Sequence, residues 1–451
     1  MMQKTGQSVL ARGGPGETGA EAGSAETEPS KATSASPGTG EWMVAVCERA
    51  NLNAAWRKVV RNKGSPGVDG MTVEELPTYL REHGKRLREQ LLAGRYTPQP
   101  IKQVAIPKSD GGQRLLGIPT TIDRFVQQAI LQVLQPIFDP TFSDHSYGFR
   151  PGRSAHGAIR QAQAYVQEGR DWVVDRDLSN FFDRVNHDIL MGRLAKRIED
   201  KLLLRLIRRY LEAGMLVNGV VNRREEGTPQ GGPLSPLLAN VLLDEVDKQL
   251  EQRGHAFVRY ADDLNVYVGS ERAGERVMQA LRRMYAKLRL KVNDEKSAVA
   301  RVEERKFLGF TLTVVNGKAT RNVAAKSIEK FKSKVRRLTH RTVGRSMSVI
   351  IGNLSMYLRG WVGYFGIAEP ARPFRDLDAW IRRRLRSLQL RHWHHGPRIY
   401  RKLRACGAAD GPAMYVAAHA GRWWWMAGAP ANPVLPNKYF DQLGLFRLAR
   451  P

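Results

Sequence analysis

Two adjacent carboxylates interrupt an apolar, β-prone run near the middle of the sequence, VRYADDLNVYV at residues 258–268. An unpaired buried charge is costly, and a second like charge beside it raises that cost. If the flanking segments are strands joined by a tight turn, Asp262 and Asp263 can both reach one point. A fold that contains this run must offset the repulsion; for an isolated Asp pair, an ordinary solvated turn is the simpler interpretation.

A second acidic segment, WVVDRDL at residues 172–178, changes the balance between these interpretations. Residues i and i+2 of a strand share a face, so Asp175 and Asp177 should point the same way. Together with Asp262 and Asp263, Asp177 would form a cluster at strand ends that needs cations. Mg²⁺ prefers carboxylate oxygens together with substrate phosphates, and two such ions can clamp both oxygens of a phosphoryl transfer. The pattern predicts two Mg²⁺ ions.

The charge of the chain indicates a polyanionic partner. Over 451 residues, 72 Lys and Arg stand against 44 Asp and Glu, which gives a net charge of +28. Nucleic acid is the first candidate, and a merely solvated basic surface is the alternative. The length predicts two or three domains.

Cysteine usage favours a cytoplasmic protein, which the expected nucleic-acid partner would associate with the nucleoid. Cys47 and Cys406 form no CxxC pair, so the sequence supports neither a disulfide framework nor a cysteine zinc site. Neither a signal-peptide core nor a bilayer-spanning run is present, and we expect no membrane partner.

The order of segments predicts an α+β fold followed by an all-α region. Residues 1–40 are rich in Gly, Ser, Pro and Glu, and we expect them to be disordered. Strands and helices then interleave, beginning with a hairpin at 100–120 around the turn SDGG. After about residue 325 the strand signals fade and helices rich in Lys and Arg take over.

Beyond these patterns, an ordered series of motifs resembles that of reverse transcriptases. DLSNFFD at 177–183, GTPQGGPLSPLLAN at 227–240 and YADD resemble the central polymerase motifs, and LRLKVNDEKS and KFLGF resemble the two that follow. IPKSDGGQRLLGIPT at 106–120 and SYGFRPGRSAH at 146–156 resemble the fingers motifs. NKGSPGVDG, near the start, and GWVGYF with WIRRRLR, near the end, resemble the extension and thumb of group II intron reverse transcriptases.

The chain is identified by this resemblance as a member of the group II intron-encoded reverse transcriptases/maturases. The implied fold is a right-hand polymerase, with fingers and palm at 41–320 and a thumb, or maturase domain X, at 321–395. A basic segment at 396–451 would bind DNA. The family often ends in an HNH endonuclease domain. The sequence stops at Pro451 without one, so we expect a bacterial type that needs another source of primer.

The resemblance also implies roles for single residues. Asp177, Asp262 and Asp263 match the catalytic metal-binding aspartates, whereas Asp175 is assigned a structural role. Phe182 matches the steric gate that excludes a 2′-hydroxyl, although core packing is the alternative. Residues expected to contact the incoming nucleotide or its phosphates are Arg114, Lys108, Gln230, Gly231 and Lys296.

Simpler interpretations stay open for several of these residues. Lys108 and Lys296 can be solvated loop lysines, and Gly231 can be only a turn glycine. The primer grip is expected at Phe307, Leu308, Gly309 and Phe310, where hydrophobic packing competes as an explanation.

The resulting prediction is an RNA-directed DNA polymerase that copies intron RNA and also binds it to assist splicing and mobility. Its partners would be group II intron RNA, a DNA target and primer, and deoxynucleoside triphosphates; the oligomeric state stays open. The alternatives are a domesticated reverse transcriptase in defence or repair, and an RNA-binding splicing factor with a vestigial polymerase site. Phe182 argues against an RNA replicase.

Overall fold

A computed structural model describes residues 41–107, 112–217, 220–222, 224–340, 344–419 and 421–449, with Arg114 described by its backbone alone. The predicted disordered tail at 1–40 and Lys108 lie outside the described residues.

The strands fall into three sheets. In chain order they are β1 (Ile101–Pro107), β2 (Gln113–Ile118), β3 (Trp172–Arg176), β4 (Met215–Val217), β5 (Val220–Asn222), β6 (Ala256–Tyr260), β7 (Asp263–Val268), β8 (Ala298–Arg301), β9 (Phe310–Val315) and β10 (Lys318–Val323).

The α-helices surround these sheets and form the whole C-terminal part. They are α1 (Trp42–Val46), α2 (Arg49–Arg61), α3 (Leu76–Leu92), α4 (Thr121–Phe138), α5 (Ala155–Gln167), α6 (His187–Ala195), α7 (Lys201–Glu212), α8 (Ser235–Gln252), α9 (Glu271–Lys287), α10 (Ala325–Leu338), α11 (Met347–Phe365), α12 (Arg372–Trp393), α13 (Gly396–Ala405), α14 (Asp410–Ala418), α15 (Trp423–Met426) and α16 (Asn437–Gln442).

The palm is an antiparallel sheet in the order β6-β7-β3-β8. Neighbouring residues of β3 point to opposite faces of the sheet, as the two-residue period of a strand requires. Val174 belongs to the hydrophobic core that includes α8 and α9, and Val173 belongs to the core that includes α5. Because β3 and β7 run antiparallel, the end of β3 and the beginning of β7 meet at one edge of the sheet. That edge carries the acidic residues.

The fingers contain the predicted hairpin and two strands, β4 and β5, that were not predicted from the sequence. Their sheet has the order β2-β1-β4-β5. β1 and β2 are antiparallel, with Ile106 opposite Arg114, while β1 and β4 are parallel. Short strands such as β4 and β5 show little periodicity of their own, so their pairing depends on the sheet beside them. Helix α4 follows β2 and starts where the Thr120 hydroxyl accepts a hydrogen bond from Asp123 N.

The α-helical part shares one hydrophobic core from Val323 to Leu448. Helix α12 runs through it and buries Leu377, Ile381, Leu385 and Leu388, whose spacing of three or four residues places them on one face. The predicted boundary at residue 395 divides side chains that pack together. Within the described residues, none of the helices combines the length and the apolarity that crossing a bilayer requires.

Candidate active site

The YADD segment forms a two-residue hairpin turn. Tyr260 at the end of β6 pairs with Asp263 at the beginning of β7, which leaves Ala261 and Asp262 in the loop. Ala261 has a φ of 59°, in the left-handed region that side chains with a Cβ rarely adopt. The turn brings both aspartates to the edge of the palm.

Asp177 lies directly beside this turn. The last pair between β3 and β7 joins Arg176 to Leu264, so Asp177 follows at the level of Asp263. The backbone of Asp177 is held from its other side by the NDEKS segment. Asp177 N donates to Ser297 Oγ at 3.2 Å, and Asn293 N donates to the Asp177 carbonyl at 3.0 Å. The structure therefore brings the three predicted aspartates together.

The carboxylates perturb one another. Burial, followed by the charges of Asp175, Asp262 and Asp177, raises the pKa of Asp263 well above its usual value. Clustered carboxylates of this kind favour a bound proton or a bound cation. Among the described residues, no group of three or more Asp, Glu, His or Cys side chains is arranged so that it could hold a metal ion by itself.

Asp175 is paired with an arginine from the segment before the FLGF turn. Arg305 donates to Asp175 Oδ2 from Nε at 2.7 Å, and its terminal nitrogen lies 2.6 Å from the same oxygen. Burial still raises the pKa of Asp175, while Arg305 opposes that shift. A second bond from Arg305 reaches the carbonyl of Lys296 at 2.6 Å. This pairing fits the structural role expected for Asp175.

Two cationic side chains face the carboxylates. The Lys296 ammonium lies 3.8 Å from Asp177 Oδ2, and its side chain is 57% exposed. Burial and the ammonium groups of Lys326 and Lys330 lower the pKa of Lys306, while Asp263 acts in the opposite direction. Lys296 was predicted as a site residue from the sequence, whereas Lys306 and Arg305 were not. The sequence feature that could have indicated them is that both are basic and stand immediately before the FLGF turn.

The segment that follows Asp177 is tied to the PQGG loop. Phe182 is 8% exposed, and its carbonyl accepts a hydrogen bond from Thr228 N at 2.6 Å. Gly227 N donates to the Val185 carbonyl at 2.7 Å. The Phe182 ring contacts Phe181 edge to face, with centroids 5.1 Å apart. Phe182 is therefore both a core residue and a neighbour of the loop.

The same loop also contacts the fingers. Gly117 N on β2 donates to the Gln230 carbonyl at 2.9 Å. Gly231 has a φ of 141°, and a Cβ there would come closer than 3.0 Å to the carbonyl oxygen of Gly117. Only a glycine fits this contact without displacement. Through it the loop joins the palm to the hairpin on which Arg114 is placed.

The predicted primer grip is a tight turn between palm and thumb. Phe307 and Phe310 exchange two backbone hydrogen bonds, and Leu308 and Gly309 both have positive φ values of 50° and 84°. Tyr364 of α11 donates its hydroxyl to the Leu308 carbonyl at 2.9 Å. The rings of Phe307 and Phe310 are buried, whereas Leu308 at the tip is partly exposed.

Comparison with protein families matches two regions. A family described as reverse transcriptase (RNA-dependent DNA polymerase) matches residues 106–312, and the maturase-specific domain of group II introns matches residues 328–407. The three aspartates, the PQGG loop and the FLGF turn all lie within the first match.

Relatives with curated names extend this similarity. Protein YkfC of Escherichia coli (strain K12) is 36% identical over 304 residues, which cover 58% of this chain and 80% of YkfC. Group II intron-encoded protein LtrA of Lactococcus lactis subsp. cremoris is 37% identical over 206 residues, covering 46% of this chain and 34% of LtrA. The aligned region is thus most of YkfC but only about a third of LtrA.

Proposed function

Because the chain belongs to the family of group II intron-encoded reverse transcriptases and maturases, we propose that it copies intron RNA into DNA at its palm carboxylates and binds the same RNA to assist splicing and mobility. The observation that carries the polymerase assignment is the meeting of Asp177, Asp262 and Asp263 at one sheet edge, beside the PQGG loop.

Asp177, Asp262 and Asp263 would hold two Mg²⁺ ions. Carboxylate oxygens suit this ion, and a bound cation would offset the burial and the neighbouring negative charges that raise the pKa of Asp263. When bound, the ions would activate the primer 3′-hydroxyl and take up charge on the triphosphate. Because no group of three described acidic, histidine or cysteine side chains could hold a metal ion by itself, the proposal requires primer and nucleotide oxygens as further ligands.

The neighbouring residues would position the nucleotide. The Phe182 ring would lie under the sugar and exclude a 2′-hydroxyl, and Gln230 and Gly231 would line the base and sugar pocket. Arg114 would meet the triphosphate, since a guanidinium offers a forked, charge-assisted contact. Lys296, exposed and next to Asp177, would reach the leaving pyrophosphate and donate to it.

The FLGF turn would hold the primer end. Its backbone is fixed from the palm by the two bonds between Phe307 and Phe310 and from the thumb by Tyr364. Leu308, at the partly exposed tip, would be the side chain that touches the primer.

The α-helical part would bind intron RNA and DNA through its positive charge. Acidic residues between 321 and 451 are few, namely Glu329, Glu369, Asp376, Asp378, Asp410 and Asp441. On α12, Arg383 stacks 4.4 Å above the ring centroid of Trp424, which is 45% exposed. Arginines neutralise phosphates and exposed indoles stack on bases, so this surface suits an unpaired strand.

Primer extension tests the polymerase assignment. Purified protein with Mg²⁺, an RNA template and a DNA primer should add deoxynucleotides. Asp262→Asn should lower the rate by about 1,000-fold or more, since metal-based stabilisation amounts to several kcal/mol and each 1.36 kcal/mol is tenfold. Asp294→Asn is the matched control, because Asp294 is an exposed palm acid paired with Arg282.

RNA affinity and splicing separate the two proposed activities. Asp262→Asn should bind intron RNA within a few-fold of the wild type and should still assist splicing, because the carboxylate faces the polymerase site. Lost RNA binding in this variant would contradict the assigned role of Asp262. A wild-type protein that fails to extend any primer would overturn the polymerase proposal.

A further inference from the structure

Arg259, one residue before the YADD tetrapeptide, is a buried charge with an unusually complete set of partners. Arg259 and Asp247 of α8 are both 0% exposed. Nε of Arg259 donates to Asp247 Oδ1 and Oδ2 at 2.8 and 2.9 Å, and Nη2 donates to Oδ2 at 2.5 Å. The remaining terminal nitrogen, Nη1, points toward the hairpin turn.

That nitrogen holds the turn itself. Arg259 Nη1 donates to the carbonyl of Ala261 at 2.8 Å and to Oδ1 of Asn240 at 2.9 Å. The carbonyl belongs to the residue whose φ is 59°, a conformation that is unfavourable by about 1–3 kcal/mol and persists only when its surroundings impose it. The guanidinium therefore fixes the peptide that joins Ala261 to Asp262.

The turn is confined from a second side by the loop before α5. Asn240 donates from Nδ2 to the carbonyl of Gly148 at 3.0 Å. A Cβ on Gly148 would come closer than 3.0 Å to the backbone nitrogen of Ala261, so the two backbones are already in contact. Tyr147 N also donates to the Arg259 carbonyl at 2.8 Å. Arg259, Asn240 and Gly148 thus form what we call the turn clamp.

Stability alone is a poor reason for this arrangement. Replacing a buried ion pair by apolar residues of similar volume is often neutral or stabilising, whereas polar groups of this kind can select one conformation. We propose that Arg259 is a positioning residue that holds the Ala261–Asp262 peptide so that Asp262 and Asp263 face Asp177. The inference rests on the proposed polymerase function and adds a residue that acts through the metal-binding carboxylates without touching substrate.

The test uses the full-length double variant Arg259→Met/Asp247→Leu, which removes both buried charges together. We expect the circular dichroism spectrum and the affinity for RNA to match the wild type. The affinity for Mn²⁺, measured by electron paramagnetic resonance with template and primer bound, should fall about 10-fold or more, the usual loss when partners of metal ligands are removed. The kcat of primer extension should fall with it, while the KM for nucleotide changes less.

Two further variants keep the proposal falsifiable. Arg259→Lys retains a charge for Asp247 but offers one nitrogen in place of the three that Arg259 uses, so it should lose Mn²⁺ affinity while staying folded. Arg176→Met is the matched control, because Arg176 is another 0% exposed palm arginine, and its guanidinium lies over the ring of Tyr285 on α9. It should leave Mn²⁺ affinity within about twofold.

The outcomes distinguish this proposal from the one on which it rests. A folded double variant that keeps wild-type Mn²⁺ affinity and kcat would overturn the positioning role, and so would an equal loss in Arg176→Met. A wild-type protein that binds Mn²⁺ but extends no primer would overturn the polymerase assignment, while the Mn²⁺ measurements would still decide whether Arg259 positions the carboxylates.

Discussion

Gly231→Ala is the substitution whose effect follows most directly from the structure. Gly231 has a φ of 141°, and its Cβ would collide with the carbonyl oxygen of Gly117 rather than with a movable side chain. The strained φ is unfavourable by about 1–3 kcal/mol. The collision would also disturb the bond from Gly117 N to the Gln230 carbonyl, a loss of about 0.5–1.5 kcal/mol.

The two contributions together amount to about 1.5–4.5 kcal/mol if the loop must stay in place for the nucleotide to bind. Since 1.36 kcal/mol is tenfold in rate, kcat/KM for deoxynucleotides should fall by about 10-fold or more. Steady-state primer extension with varied nucleotide concentration measures this. We expect a rise in KM to account for much of the loss, because the loop is proposed to line the pocket.

Gly232→Ala is the control, one residue along the same loop. A Cβ there would meet the amide end of Gln127, which is a side chain and can rotate. Its loss should stay below about fivefold. Equal losses in the two variants, or an unchanged kcat/KM in Gly231→Ala, would refute the argument that backbone contact between loop and fingers shapes the nucleotide pocket.

Two further predictions concern the sugar and the pH. Phe182→Ala should admit ribonucleotides and lower discrimination against them by at least about tenfold. Phe181→Ala removes a neighbouring buried ring and should leave that discrimination in place. Unchanged discrimination in Phe182→Ala would mean that another residue is the steric gate. Because burial and neighbouring carboxylates raise the pKa of Asp263, protons compete with cations for it as the pH falls. Activity should therefore rise with pH, and tenfold more Mg²⁺ should move the midpoint to lower pH; a midpoint independent of Mg²⁺ would contradict this competition.

Local patterns were enough to predict the elements that carry the site. Apolar, β-prone runs predicted β3, β6 and β7, and the Asp262–Asp263 pair predicted the tight turn between β6 and β7. The i, i+2 spacing predicted that Asp175 and Asp177 lie on one face; in the structure Asp175 belongs to β3, and Asp177 follows directly after the end of that strand. These predictions succeed because strand alternation and turn chemistry depend on neighbours in the chain.

Partners distant in sequence could not be predicted in this way. Asp175 and Asp177 look equivalent in WVVDRDL, yet Arg305, 130 residues later, pairs with Asp175. Strands β4 and β5 exist through their place in the fingers sheet, and each has only three residues. Nothing in the sequence distinguishes Arg259 from the other arginines until α8 brings Asp247 and Asn240 to it.

The sequence by itself determined the chemistry of this protein. The order and spacing of its acidic, aromatic and glycine-rich motifs, together with its charge of +28, specify a nucleic-acid polymerase of the group II intron family. Only the tertiary structure decided that Asp175 is the acid paired with Arg305 and what holds the YADD turn in its strained conformation. Charge and hydrogen-bond compensation act through space, and chain folding alone sets which groups come within about 3 Å of one another.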